Sequence, residues 1–142
     1  MRADPASIYA IAAAVERWPE LLPHYRRVRV VYGPEPGRRL VEMAAYRDGI
    51  PVHWWAEQNL YPAEPRITFR HVRGVTTGMD VEWTFAPVAD GTLVQISHEL
   101  RPRWPLGPLV ADRVIGPFFI ENIAGKTLRR IKALVEAPAT VQ

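Results

Sequence analysis

Apolar and polar side chains alternate between residues 25 and 100, which is the pattern of β-strands that bury one face. Glycine, proline and aspartate interrupt the alternation at five places, residues 33–37, 48–49, 62–65, 73–78 and 90–91. These turns divide the segment into six strands. The short connections predict an antiparallel meander in which each strand pairs with the next.

Helical spacing of apolar residues precedes this segment. Asp4 followed by Pro5 is typical of a helix N-cap and a first helical residue, and it predicts a helix over 5–14. A second short helix is predicted over 16–22, because Pro23 ends it. Within that helix, Trp18 stands beside a proline and is interpreted as aromatic-proline packing at a corner.

The C-terminal part predicts a long helix after a proline-rich connection at 102–108. A short helix over 109–115 is expected to bend at Gly116-Pro117 into a main helix that runs to about residue 136. Residues 138–142 are expected to form a tail without regular structure. The main helix carries an apolar stripe, which only the apolar face of the sheet is large enough to bury. The stripe consists of Phe118, Ile123, Leu128, Ile131, Leu134 and Val135.

Counting back from each turn predicts which side chains share the inner face of the sheet. A two-residue turn at 90–91 places Phe85 opposite Ile96 and Trp83 opposite His98. The same counting pairs Gln58 with Phe69, Ala56 with His71, Met43 with Trp54, and Val30 with Val41. Gln58, His71 and His98 are the polar interruptions of this face. Its apolar members are Val28, Val30, Val41, Met43, Trp54, Ala56, Ile67, Phe69, Val81, Trp83, Phe85, Ile96 and Leu100.

The opposite face of the sheet comes out polar. Arg29 faces Glu42 there, which predicts a solvated surface of cross-strand ion pairs. The same face carries a row of Asn59, Thr68, Thr84 and Ser97. Two features conflict with this scheme: Trp55 points outward and Glu82 faces Glu99, and a β-bulge near either would remove the conflict.

A row of side chains across neighbouring strands is predicted from this register: Gln58, Phe69, Trp83 and His98, with His71 one step along. Apolar walls with a few convergent polar groups are typical of a small-molecule pocket. His71 and His98 have three open roles, because neighbouring protein groups could satisfy them, a ligand could be oriented by them, or they could transfer protons. The candidate ligand-binding residues are Met43, Trp54, Gln58, Phe69, His71, Trp83, Ile96, His98, Phe118, Phe119 and Ile123.

Composition narrows the possibilities further. The chain of 142 residues, 48% hydrophobic and 23% charged, is typical of one globular domain, and no apolar run approaches the roughly 18 residues of a membrane span. Without cysteine, and without nucleotide, nucleophile-elbow or zinc motifs, we expect neither metal nor cofactor. The start lacks a secretory signal, so we expect a cytoplasmic protein. A net charge of only +3 does not favour nucleic acid, and the sequence leaves a homodimer open.

Three stretches carry a family resemblance: DPASIYAIAAAVERWPELLPHYRRVRVV, DVEWTFAPVADGTLVQISHEL and IGPFFIENIAGKTLRRIKALVE. With the order of helices and strands, they resemble the START-like (SRPBCC) superfamily, which includes polyketide cyclase/dehydrase and coenzyme Q-binding proteins. The resemblance covers almost the whole chain. It implies a helix-grip fold, with a curved antiparallel sheet around a long C-terminal helix, and a cavity for lipids, isoprenoid quinones, polyketides or hormones.

One departure from the resemblance concerns the start of the chain. Members of the superfamily have a seventh strand ahead of the first helix, between the second and last strands, and Met1 lies almost where that strand ends. We therefore expect that the first strand is missing or truncated in residues 1–142, that the true start lies upstream, and that a longer chain is more stable.

Three functions are consistent with these observations. The first is binding of a hydrophobic small molecule, such as a lipid, isoprenoid quinone or polyketide-like aromatic, in an internal cavity. The second is an aromatic polyketide cyclase or dehydratase that uses His98 or His71 as a general acid/base. The third is a ribosome-, RNA- or protein-docking module that uses the arginine-rich surface.

Overall fold

The computed structural model describes residues 1–35, 37–47, 49–74, 77–100 and 123–136. It has the predicted α+β architecture, with short helices before a six-strand antiparallel sheet and a helix after it. The elements are α1 (Pro5–Ala13), a 3₁₀ turn (Val15–Arg17), α2 (Trp18–Leu21), β1 (Tyr25–Glu35), β2 (Arg38–Arg47), β3 (Ile50–Tyr61), β4 (Arg66–Gly74), β5 (Met79–Val88), β6 (Gly91–Leu100) and α3 (Gly125–Glu136).

The start of α1 follows the predicted capping pattern. The Asp4 carboxylate accepts hydrogen bonds from the Ser7 amide (3.2 Å) and the Ser7 hydroxyl (2.6 Å), and Pro5 occupies the first turn. The helix ends at Ala13, one residue before the predicted end, because Ala14 leaves helical geometry at φ −84° and ψ 61°. The predicted helix over 16–22 is resolved into the 3₁₀ turn and α2.

The six strands form a meander in sequence order, as predicted. The register from β1 to β4 is also the predicted one, with Val30 opposite Val41, Met43 opposite Trp54, and Gln58 opposite Phe69. A two-residue periodicity and correctly placed turns therefore suffice to align the first four strands.

The predicted register between β5 and β6 is wrong by two residues. Trp83 faces Ile96 rather than His98, because Val88 pairs with Gly91 and the turn lies one residue earlier than predicted. Gly91 is the first residue of β6, at φ 151°, and a Cβ there would collide with the Met1 carbonyl oxygen. Glycine at this position therefore leaves room for the N-terminal backbone to pass close by. It is not needed for the turn, which lies before it.

A second register error, between β4 and β5, offsets the first. Phe69 faces Val81 instead of Trp83, because a bond from the Gly78 amide to the His71 carbonyl (2.9 Å) closes that hairpin. Each error shifts the pairing by two residues, and the shifts cancel. The actual row is Gln58, Phe69, Val81 and His98, so His98 keeps its predicted place while Trp83 moves to the next row.

A bulge lies beside the outward aromatic residue, and the β5–β6 register moves the predicted charge conflict to another pair. The β3–β4 register shifts beside Trp55, whose ring packs on His53 at 4.2 Å and under the Arg73 guanidinium at 5.2 Å. Because the β5–β6 register is shifted by two residues, Glu82 faces Ser97 and Asp80 takes the place opposite Glu99.

The concave face of the sheet is covered by α1, α2 and α3. From the C-terminal part, Ile123, Thr127 and Ile131 are buried, at the four-residue spacing expected for one helix face. The first residues lie along β6: the Met1 amino group donates to the Thr92 carbonyl (2.7 Å), and the Thr92 amide donates to the Met1 carbonyl (2.8 Å). The expectation of a further strand ahead of Met1 stays a prediction.

The predicted helix over 109–115, the bend at Gly116-Pro117 and the tail over 138–142 lie outside the described residues. Within the described ranges, no helix is both long and apolar enough to cross a membrane.

Candidate functional site

A cavity lies between the inner face of the sheet and the first turns of α3. Its volume is about 50 Å³, which is room for a few water molecules. Strands β1 to β6 and α2 supply most of the wall, and the π-helical turn at 123–124 with Thr127 supplies the rest. The lining residues are Trp18, Tyr25, Met43, Trp54, Phe69, His71, Val81, Trp83, Ile96, His98, Ile123, Ala124 and Thr127.

Four aromatic side chains form a contiguous wall of this cavity. The Trp18 ring contacts Tyr25 edge-on at 5.0 Å between centroids and Trp83 at 6.0 Å, and Tyr25 contacts Trp54 at 6.2 Å. The Trp18 indole donates to the Ile11 carbonyl at 3.0 Å. Because that bond holds α2 to α1, the indole face is held in place against the cavity.

His71 and His98 bring imidazole rings to the apolar wall. His71 is 4% exposed, and its ring lies parallel to Trp54 at 5.7 Å. Burial, reinforced by neighbouring His98, lowers the pKa of His71 to about 3, and burial also lowers the pKa of His98. Both rings are therefore neutral at physiological pH and act as hydrogen-bonding groups rather than cations.

A hydroxyl cluster forms the helix side of the cavity. Thr127 donates its hydroxyl hydrogen to the Ile123 carbonyl at 2.8 Å, one turn back along the helix. The hydroxyl oxygen lies 3.0 Å from Nε2 of His24, and with its hydrogen committed it can only accept, so Nε2 carries the proton. Burial, chiefly, lowers the pKa of His24 to about 4, and burial raises the pKa of the Tyr25 phenol.

Gln58, the third polar residue of the inner face, is enclosed by protein groups instead. It is 0% exposed and does not line the cavity. Its amide oxygen accepts from Nε of Arg39 at 2.6 Å, and its amide nitrogen donates to the Ala13 carbonyl at 3.1 Å. Arg39 also donates to Ala13 (2.9 Å) and to Glu16 (2.6 Å). This network connects the sheet to the C-terminal end of α1, where it supplies hydrogen-bond donors to the Ala13 carbonyl.

Comparison with known proteins identifies the family. Residues 1–125 match the family described as polyketide cyclase / dehydrase and lipid transport. The chain belongs to this family. A curated relative, the granaticin polyketide synthase bifunctional cyclase/dehydratase of Streptomyces violaceoruber, is 34% identical over 99 residues. Those residues are 68% of this chain but only 30% of the relative's length.

Solved structures show the same helix-grip architecture. The Zhui aromatase/cyclase from Streptomyces sp. R1128 matches with a TM-score of 0.76 at 18% identity, over 99% of this chain and 93% of that one. A START superfamily protein from Mycobacterium smegmatis matches with a TM-score of 0.73 at 19% identity, over 94% and 93%. The predicted helix-grip fold and the START-like resemblance are confirmed, and the polyketide cyclase / lipid transport family implies a hydrophobic ligand.

Most of the predicted ligand-binding residues come together in this family's cavity. Of the eleven, Gln58 lies in the network with Arg39, while Phe118 and Phe119 lie outside the described residues. That the remainder bind a ligand stays a prediction. The residues that line the cavity as predicted are Met43, Trp54, Phe69, His71, Trp83, Ile96, His98 and Ile123.

Sequence reasoning missed two polar residues and one aromatic residue of the cavity. Tyr25 was hidden by a register shift in β1 between Tyr25 and Arg27, which turns the Tyr25 side chain to the inner face against the simple alternation. Thr127 follows Ile123 by four residues, so a polar residue on the buried helix stripe could have revealed it. Trp18, interpreted as corner packing, is buried in the cavity wall.

The outer face of the sheet carries the predicted ion pairs. Glu42, whose side chain is only 8% exposed, lies 3.4 Å from Arg27, 3.2 Å from Arg29 and 3.2 Å from Nε2 of His53. The interpretation of these arginines as an ion-paired surface is confirmed. Nucleic-acid docking through this surface stays a prediction. Among the described residues, no group of three or more metal-ligating side chains is found.

Proposed function

We propose that this domain binds a flat or elongated apolar small molecule in the cavity between the sheet and α3. The observation that carries the proposal is the aromatic wall of Trp18, Trp54 and Trp83 around a space that only a few polar groups enter. Aromatic side chains offer large contact areas at low conformational cost, and a few polar groups fix the orientation of a ligand. Isoprenoid quinones, lipids and aromatic polyketides all have this character.

Binding requires the cavity to widen. Its volume of about 50 Å³ is well below the roughly 300–1,000 Å³ of typical ligand pockets. Ile123 and Ala124 form a π-helical turn that leads into α3 and is part of the wall, so movement of this turn enlarges the space without breaking the sheet. We therefore expect ligand binding to change the position of this turn more than that of β3 or β4.

A cavity-filling variant tests the proposal. Ala124→Phe places a ring where the ligand would lie, whereas Ala133→Phe places the same ring on the exposed side of α3. We expect the neutral fluorescent probe N-phenyl-1-naphthylamine to bind the original chain and the Ala133 variant, and at least tenfold more weakly the Ala124 variant. Thermal unfolding of all three checks that they are folded. Equal binding by the three proteins contradicts the proposal.

An aromatic polyketide cyclase or dehydratase is the second candidate, favoured by the 34% identity to a protein named as a bifunctional cyclase/dehydratase. His98 is the better general base of the two histidines, because deeper burial and the neighbouring ring make His71 a weak base. In the described part of the chain, no carboxylate lines the cavity beside either ring. This absence favours binding over proton transfer.

Turnover of an aromatic polyketide substrate separates the two candidates. If His98 is a general acid/base, His98→Phe lowers kcat by about 10²–10⁴-fold. If the domain only binds, the original chain accelerates neither ring closure nor loss of water above the rate in buffer. Native mass spectrometry of the protein from its own host then identifies the bound molecule.

A further inference from the structure

A chain of hydrogen bonds joins three residues on the helix side of the cavity. Thr127 donates its hydroxyl hydrogen to the Ile123 carbonyl at 2.8 Å, and Nε2 of His24 donates to the Thr127 hydroxyl oxygen at 3.0 Å. Thr127 is 1% exposed and lines the cavity together with Ile123, whereas the described wall does not include His24. The bonds therefore connect a residue outside the cavity, next to β1, to the π-helical turn at 123–124 in its wall.

The remainder of α3 is held by contacts beyond Thr127. Nε of Arg130 donates to the Leu21 carbonyl at 2.9 Å, at the end of α2, and the Glu136 carboxylate accepts from the Arg2 amide at 2.8 Å. Ile131, between these two contacts, is fully buried in the core. Because the body of the helix is fixed at these points, the part that moves at the least cost is the turn ahead of Thr127.

This turn is also the irregular part of the helix. π-Helical turns are rare, occur mostly as single turns and are frequent at functional sites. The Thr127 hydroxyl bonds the Ile123 carbonyl of the turn, so the position of the turn depends on a side chain as well as on the backbone. Because a typical ligand needs several times the present volume of about 50 Å³, the turn has to move, and the bonds to Thr127 oppose that movement.

We infer that His24, Thr127 and Ile123 form a latch that keeps the cavity closed and controls how fast a ligand enters. This inference rests on the proposed function and concerns the regulation of the same site. Movement of the turn breaks one or both bonds, so the latch stabilises only the closed form without ligand. A hydrogen bond of ordinary strength changes such an equilibrium by about threefold to tenfold, and the apparent affinity falls by the same factor.

Thr127→Val tests the latch, because valine has nearly the shape of threonine but no hydroxyl group. Stopped-flow fluorescence of N-phenyl-1-naphthylamine gives the association and dissociation rate constants. We expect the association rate constant to rise by about threefold to tenfold, while the dissociation rate constant changes by less than about twofold. Thr127→Ser keeps the hydroxyl group and is the matched control, which should associate at the original rate.

A second variant removes the same bond from outside the cavity. His24→Phe keeps an aromatic ring beside Tyr25, whose ring centroid lies 4.7 Å from that of His24, but it cannot donate to Thr127. We expect its association rate constant to rise by at least about twofold. The double variant should associate no more than about twofold faster than Thr127→Val alone, because both substitutions remove one shared bond.

Arg130→Leu is the control for movement of the whole helix. It removes a bond of similar length between α3 and α2, away from the turn, so the association rate constant should stay the same. Thermal unfolding checks that each variant is folded. An equal rise in Arg130→Leu overturns the latch, since the whole helix would then move.

The remaining outcomes separate the latch from the proposed function. Unchanged association in folded Thr127→Val and His24→Phe overturns the latch but leaves ligand binding intact. Faster association in Thr127→Val alone also overturns it, because a more apolar wall then explains the change. Absence of probe binding by the folded original chain overturns the proposed function as well. If Thr127→Val does not fold, His24→Phe decides, since it leaves the described cavity wall unchanged.

Discussion

Two polar clusters interrupt the same apolar face of the sheet, and they are built differently. Gln58 is surrounded by protein partners, with Arg39 and the Ala13 carbonyl bonded to its amide. His98 lies in the same row of the sheet as Gln58, and His71 lies in the neighbouring row, but both border a cavity. From the sequence, all three were equivalent candidates for ligand recognition.

The difference teaches how to separate a structural polar group from a binding group. Arg39 reaches Gln58 because it lies directly opposite on the neighbouring strand β2, and the end of α1 supplies the Ala13 carbonyl, so the amide is fully used inside the fold. No described helix brings a charged partner to the wall around His71 and His98. Buried polar groups that border a cavity are the ones that a ligand can complete.

The largest expected effect is a loss of folding stability in acid, where the buried imidazole of His71 opposes protonation. The pKa of His71 is lowered from the usual 6.5 to about 3, so the unfolded chain binds a proton more readily between these values. The stability that neutral His71 provides is complete above pH 6.5 and is lost as the pH falls towards 3. The expected loss approaches about 1.4 kcal/mol per pH unit well below pH 6.5 and amounts to about 3 kcal/mol between pH 7 and pH 4.

Urea unfolding at pH 7 and pH 4 measures this loss. His71→Phe should remove one titrating group and make the free energy of unfolding less dependent on pH. His24, whose pKa is about 4, adds a smaller loss in the same direction because it is partly exposed. An unchanged pH dependence in the His71 variant would show that His71 is not the group that is protonated.

Loss of the Gln58 amide should have the next largest effect on the free energy of unfolding. Gln58→Leu keeps a side chain of similar size but removes the acceptor of Arg39 and one donor to Ala13, so we expect a loss of about 2 kcal/mol in unfolding free energy. Asn59→Ala, on the outer face, should change it by less than about 0.5 kcal/mol. Both values come from urea unfolding at pH 7.

The pH dependence of the Gln58 variant sharpens the comparison. Because the amide that the substitution removes does not ionise, the loss should be the same at pH 5 and pH 7. If Gln58→Leu remains folded but binds N-phenyl-1-naphthylamine at least tenfold more weakly, Gln58 belongs to the binding site. The distinction between the Gln58 network and the cavity histidines would then be wrong.

The sequence predicted the strands, their faces and most of the cavity, because two-residue periodicity survives any register shift of two. His98 was placed correctly although both neighbouring registers were wrong, since the shifts cancel. One partner of Gln58 follows from the predicted register, which places Arg39 opposite it, whereas the Ala13 carbonyl meets it through helix packing that periodicity does not describe. Tyr25 was missed for a local reason, the register shift in β1.

Replacement of both cavity histidines should affect binding more than stability. His71→Phe combined with His98→Phe keeps a planar aromatic ring at each position but removes the hydrogen-bonding nitrogens, so we expect N-phenyl-1-naphthylamine to bind at least tenfold more weakly, about 1.4 kcal/mol. His53→Phe is the matched control, since that ring lies against Glu42 on the outer face. Unchanged affinity in the double variant would assign the histidines a purely structural role.

The smallest effect is expected on the outer face, where a third polar cluster surrounds Glu42. The Arg29 side chain is 63% exposed, and Glu42 keeps Arg27 and His53 when Arg29 is removed. Arg29→Ala should therefore lower the unfolding free energy by about 0.5 kcal/mol or less, and added salt should reduce this effect. Binding of N-phenyl-1-naphthylamine should not change. A salt-independent loss above about 1.5 kcal/mol would mean that this cluster resembles the Gln58 network, in which a buried group depends on each partner.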